Sequence, residues 1–149
     1  MQALPIILFV VRVFIGGFFL YAAVPKIADP LAFATSISHY HLLPNWAVNG
    51  TALILPWLEL LTGTALLLGF KTRTSAALCG AMLVVFTIAV AYAVIQGLQI
   101  DCGCFGDQGG EEVSWLKVAK NTAMIAGCVL LILKPVTFLS IDERFSKPV

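Results

Sequence analysis

The chain has 149 residues, 60% of them hydrophobic and 11% charged, with a formal net charge of +1. Soluble globular domains carry about 25% charged residues, so this chain lacks the polar surface to face water on all sides. The near-zero charge excludes a nucleic-acid binder driven by phosphate contacts, and the length is that of a single domain.

Four apolar stretches, about Leu4–Val24, Trp46–Phe70, Thr74–Gly97 and Ser114–Leu133, are long enough to span. Crossing roughly 30 Å of hydrocarbon takes about 20 helical residues. The first has no basic leader and is interrupted by Arg12, so it reads as a retained span rather than a signal peptide. The predicted fold is all-α, an integral membrane four-helix bundle in a lipid bilayer.

Between the first two spans, Pro25–Asn45 is too polar to cross and too apolar for a plain loop. Asp29-Pro30 looks like a helix start, with proline at the first helical position. Phe33, Ile37 and Tyr40 then recur at helical spacing until Pro44 ends the segment. This pattern predicts an amphipathic helix, from about Leu31 to Leu43, on the membrane surface. Small residues recur four apart at Ala76–Gly80, Ala89–Ala93 and Ala119–Ala123–Gly127. Such faces let helix backbones approach closely in lipid.

Four spans put both termini and the Phe70–Thr74 turn on one side, with Lys71, Arg73, Lys134, Arg144 and Lys147. The other side has Lys26, Lys117 and Lys120, together with Asp29, Asp101, Asp107, Glu111 and Glu112. The basic excess marks the first side as cytoplasmic. Trp46, Trp115, Tyr21 and Tyr92 fall near the outer ends of their spans, as interfacial aromatics do. The expected location is a bacterial inner membrane, with both termini cytoplasmic and the third-to-fourth connection in the periplasm.

That connection carries Asp101-Cys102-Gly103-Cys104-Phe105-Gly106-Asp107. Cys102 and Cys104 could close a small disulfide or hold a soft metal. A disulfide needs Cα atoms within about 7 Å, so the chain must bend, and Gly103 removes the Cβ that would resist. Gly106 loosens the exit, and Asp101 and Phe105 complete the supporting motif. So small a ring is strained and readily exchanged, and closing so short a loop makes a poor structural staple. A redox-active dithiol is therefore favoured over a metal site or a structural bridge. Asp101 and Asp107 oppose the thiolate that exchange needs, whereas Lys26, Lys117 or Lys120 would support it.

The Cys-Gly-Cys-Phe-Gly motif after a third span resembles the MauE branch of the DoxX-like membrane proteins. The first span and its exit, Arg12-Val13-Phe14-Ile15-Gly16-Gly17-Phe18-Phe19-Leu20-Tyr21-Ala22-Ala23-Val24-Pro25-Lys26-Ile27, are similar to that superfamily's opening. Pro56-Trp57-Leu58-Glu59-Leu60 resembles its second span. The resemblance covers essentially the whole chain. It implies a four-span redox-associated protein acting with a thioredoxin-like periplasmic partner, in a branch linked to maturation of disulfide-rich methylamine dehydrogenase.

Three further groups bear on chemistry. His39 and His41 share the outer side with the cysteines, and together the four would suit zinc or copper. On a helix, however, His-Tyr-His points the imidazoles about 200° apart. No metal site is assigned, and His39 or His41 is instead a candidate for proton transfer during exchange. Arg12 and Glu59 lie deep inside spans at similar counted depth, which predicts an intramembrane ion pair. Cys79 and Cys128 read as small packing residues.

The expected function is thus thiol–disulfide exchange through Cys102 and Cys104, with electrons passing to a membrane quinone, by analogy with other four-helix disulfide-generating enzymes, or running in reverse to a reductive partner. The alternatives are a metal-binding membrane protein and a non-catalytic assembly subunit.

Overall fold

The computed structural model describes residues 3–100, 112–134 and 141. Five helices follow in order: α1 Ala3–Ala28, α2 Pro30–His39, α3 Asn45–Leu68, α4 Thr72–Ile95 and α5 Trp115–Leu133. No strand occurs among the described residues. All but α2 are long and apolar enough to cross a membrane. Their outward faces carry Phe14, Ile54, Leu61, Val85 and Leu133 exposed. So much bare apolar surface suits lipid as the solvent and would be a liability in water. The chain is a multi-pass membrane protein.

Helix α1 packs along α3 and α4 along α5, with lighter contact between the pairs. The shared core holds Leu8, Ile15, Phe19, Leu66, Ala76, Cys79, Leu83, Cys128 and Leu131. The α1–α3 approach depends on two glycines. A Cβ on Gly16 would stand 2.8 Å from Leu67 Cγ and 3.0 Å from the Gly63 carbonyl oxygen. One on Gly63 would stand 2.7 Å from Leu20 Cδ1 and 2.9 Å from Phe19 Cβ. Backbones this close leave no space for a methyl group, the condition under which small residues drive packing in lipid.

The expected small-residue faces divide. Ala76 and Gly80 are buried, and Gly80 faces Cys128. Ala119 and Ala123 are exposed, so that part of the α5 stripe is not a helix interface.

Two element boundaries differ from the sequence expectation by more than two residues. Helix α1 does not stop at Val24 but runs through Pro25 to Ala28. Proline removes its own N–H donor and crowds the carbonyl four residues back, yet the Asp29 N–H still donates to the Pro25 carbonyl at 3.0 Å. Helix α2 begins as expected, with the Ala32 N–H donating to Asp29 Oδ1 at 3.0 Å and Pro30 in the first turn. It ends at His39, because His41 turns to the left-handed φ of 52°.

The α2 segment does more than lie on a surface. Its Phe33 and Ala34 pack on Val48 and Ala52 of α3, with Ile37 and Leu55 beside them. It therefore covers the first turns of α3, which project past the end of α1.

Candidate functional site

The ends of α1 and α4, the starts of α3 and α5, and all of α2 gather at one end of the bundle. The Cys102/Cys104 motif, with Asp101, Gly103, Phe105 and Gly106, lies outside the described residues. Its two flanks are described. After α4, Gly97 adopts a left-handed φ of 67° and the Leu98 N–H donates back to Ala93 at 3.0 Å. The Val113 N–H then donates to the Ile100 carbonyl at 3.1 Å, tying together the two strands of chain that lead into and out of the motif.

Below this end, the structure corrects the predicted ion pair. Glu59 is bound by Lys26, not by Arg12: Lys26 Nζ donates to Glu59 Oε1 at 2.8 Å and to Oε2 at 2.9 Å. Arg12 and Lys26 are separated by about 21 Å along α1, at 1.5 Å rise per residue. No arginine side chain spans that distance. Gly16 meets Leu67, so Arg12, one turn earlier, lies beside the opposite end of α3. There it is buried, with its guanidinium 5.1 Å from the centre of the Phe9 ring. Counting depth from span ends failed because α1 continues past Pro25 and α3 is displaced along it.

Lys26 is 3% exposed and Glu59 8%, so protein covers most of the pair. The Lys26 ammonium also sits 4.9 Å from the centre of the Phe33 ring, which links the pair to α2. Lys26, expected as an electrostatic support for the thiols, is instead committed to Glu59.

A cavity of about 40 Å³ adjoins the pair, lined by Phe18, Phe19, Phe86, Met82 and Asn121 among others. A cavity needs roughly 10–15 Å³ of such volume to hold a water, and about 150 Å³ to hold benzene. This one is therefore water-sized. Asn121 Nδ2 is buried and has no hydrogen-bond partner among the described residues. A buried polar group normally finds one, so Asn121 has capacity for a further acceptor.

A second, larger cleft of about 480 Å³ opens between α2, α3 and α4. It shares Glu59, Met82 and Phe86 with the small cavity and is otherwise mostly apolar. Ser36, Tyr40 and Thr51 supply polar groups nearer the motif end. Burial pushes the Tyr40 phenol up to about 12, so it stays a neutral hydroxyl at ordinary pH.

His39 and His41 are both exposed, at the last residue of α2 and just beyond it. The fixed angle of a continuous helix therefore does not relate them. Among the described residues, no three His, Cys, Asp or Glu side chains come together as a metal site. Cys79 and Cys128 are free thiols buried in the core.

Sequence reasoning selected Glu59 but missed its partner and Asn121. The signals were present: a lysine one residue past an in-helix proline, and an isolated asparagine in an apolar span. Polar groups inside spans ordinarily face a partner or a cavity.

The family model described as methylamine utilisation protein MauE matches residues 4–134. The methylamine utilization protein MauE of Methylorubrum extorquens is 36% identical over 80% of this chain and 65% of its own length. That of Paracoccus denitrificans is 33% identical over 82% of this chain and 66% of its own. That of Paracoccus versutus is 34% identical over 86% and 71%. The chain thus spans about two thirds of the length of these curated relatives. No solved structure matches. With nearly all of its helical body covered by the model, the chain belongs to the MauE family.

Proposed function

We propose that this chain is a membrane thiol–disulfide exchange protein that uses Cys102 and Cys104 on the periplasmic side of a bacterial inner membrane. Its relatives are named methylamine utilization proteins, and its work would be the maturation of disulfide-containing clients in that process. The observation that carries the reading is the paired base of the motif segment, Val113 N–H to Ile100 C=O at 3.1 Å. In sequence, the two thiols lie one residue apart between these two joined flanks. The modest basic excess at the opposite end supports the outward orientation, and a disulfide can persist outside the cytoplasm.

In the reaction, a thiolate of a thioredoxin-like partner attacks one sulfur of the Cys102–Cys104 disulfide. A mixed disulfide forms and the other motif cysteine leaves as a thiolate. The partner's second thiol then displaces the first motif sulfur. The partner leaves oxidised, and Cys102 and Cys104 have gained two electrons and, at neutral pH, two protons. A membrane quinone, when bound, would accept those electrons and protons. His39 or His41, both exposed at the same end, would take or give the proton during exchange.

The test is client oxidation in cells carrying Cys102→Ser, Cys104→Ser or both. Each change should abolish turnover. Normal client oxidation in the double variant would refute the exchange function and favour a non-catalytic assembly role.

A further inference from the structure

We propose that the cleft between α2, α3 and α4 binds a tailed quinone or quinol, with its ring oxygen on the Lys26–Glu59 pair and its tail toward the lipid. This names a site for the electron acceptor of the exchange reading and rests on that reading for its redox role alone. The binding claim stands on the geometry.

Size comes first. The cleft holds about 480 Å³, within the roughly 300–1,000 Å³ of small-ligand sites. The adjoining 40 Å³ cavity is too small for a ring but admits a ring substituent or a water.

Chemistry comes second. The cleft walls are apolar, with Leu55, Val85 and Ile88 along them, yet the inner end is Glu59. A buried ion pair is a poor source of stability, and an ionisable group in a span ordinarily marks a site. The ammonium has three N–H donors, of which two go to the Glu59 oxygens. The carboxylate has about four acceptor positions. Glu59 lines both the cleft and the small cavity, whereas Lys26 lines the small cavity alone. A quinol hydroxyl donates to the Glu59 carboxylate directly, and a quinone carbonyl oxygen accepts from Lys26 where it enters the small cavity. Asn121 Nδ2, without a hydrogen-bond partner among the described residues, adds a donor in the small cavity. The pair carries no net charge, which gives no electrostatic reward to a phosphate head group. Phe86 and Met82 supply the aromatic and thioether surface suited to a flat ring.

Location comes third. Lining residues on α4 run from Ala81 to Ala89 and those on α2 from Phe33 to Tyr40. The cleft therefore rises from Glu59 toward the end of the bundle that bears the motif flanks.

The experiment uses the full chain in phosphatidylcholine nanodiscs with an azidoquinone carrying a decyl tail, photolysed and mapped by mass spectrometry. Adducts should fall within 81–89 and 33–43. Decylubiquinone should displace them, and decyl acetate, which has an ester carbonyl but no ring, should not. Glu59→Gln removes the charge and should weaken labelling about ten-fold, the scale of one charge-assisted hydrogen bond. Ala89→Phe fills the cleft without touching the pair and should weaken it as much, so the inference stays testable even where Glu59→Gln fails to fold. Labelling spread over outward faces such as Phe14 and Val129 would overturn the site. Equal displacement by decyl acetate would show a lipid groove instead. Loss of labelling with partner exchange intact rejects this inference alone. Normal client oxidation without Cys102 and Cys104 rejects the exchange reading and leaves binding standing.

Discussion

Lys26 Nζ lies 2.8 Å from Glu59 Oε1, joining the last turns of α1 to the middle of α3 inside the apolar bundle. The first predictions follow from that pair. Replacing Lys26 by Met or Glu59 by Leu alone leaves one charged group without its partner. The cost should be on the order of 3–5 kcal/mol for an uncompensated buried charge. Lys26→Met with Glu59→Leu should cost much less than the sum of the two singles. Unfolding in bicelles, run as a double-mutant cycle, reads the coupling. The same cycle between Arg12 and Glu59 should be additive, since those residues lie at different depths.

Gly16 and Gly17, of which only the first lies in the α1–α3 contact, give a contrast within one dipeptide. Gly16→Ala puts a methyl 2.8 Å from Leu67 Cγ and should destabilise by about 1–3 kcal/mol through overpacking. Gly17→Ala meets nothing within 4 Å and should be neutral or slightly stabilising. Equal effects at the two positions would mean the helices do not meet on the Gly16 face.

Much of the fold was legible because lipid imposes a simple rule. Every spanning backbone group must be satisfied internally, so long apolar runs read as helices, and the four spans lie close to where hydropathy puts them. Asp29-Pro30 likewise announced α2. What was not legible was relative helix depth. Pro25 suggests an end, but in-helix proline is tolerated when its neighbours close the remaining bonds, as Asp29 does. Shifting α1 and α3 along each other exchanged Arg12 for Lys26 as the partner of Glu59. Asn121 escaped notice because a lone amide has no spacing pattern. The cleft depends on how far α3 and α4 stand apart, which no local pattern records.

Thiol accessibility distinguishes the four cysteines. A membrane-impermeant maleimide applied to reduced intact cells should modify Cys102 and Cys104. Cys79 and Cys128, buried in the core, should react only after denaturation. Labelling of Cys102 and Cys104 only after permeabilisation would reverse the orientation and remove the periplasmic site.

The central claim is that Cys102 and Cys104 act as one exchanging pair, and its most direct measurement is trapping of the mixed disulfide. Membranes carrying Cys102→Ser, Cys104→Ser or both would be quenched with acid and alkylated, then run on non-reducing gels with mass spectrometry of any adduct. One single variant should accumulate a covalent complex with a thioredoxin-like protein through the remaining motif cysteine, because the resolving thiol is gone. Reductant should dissolve it, and the double variant should show none. Absence of any adduct from both single variants, with client oxidation at the wild-type rate, would contradict the account.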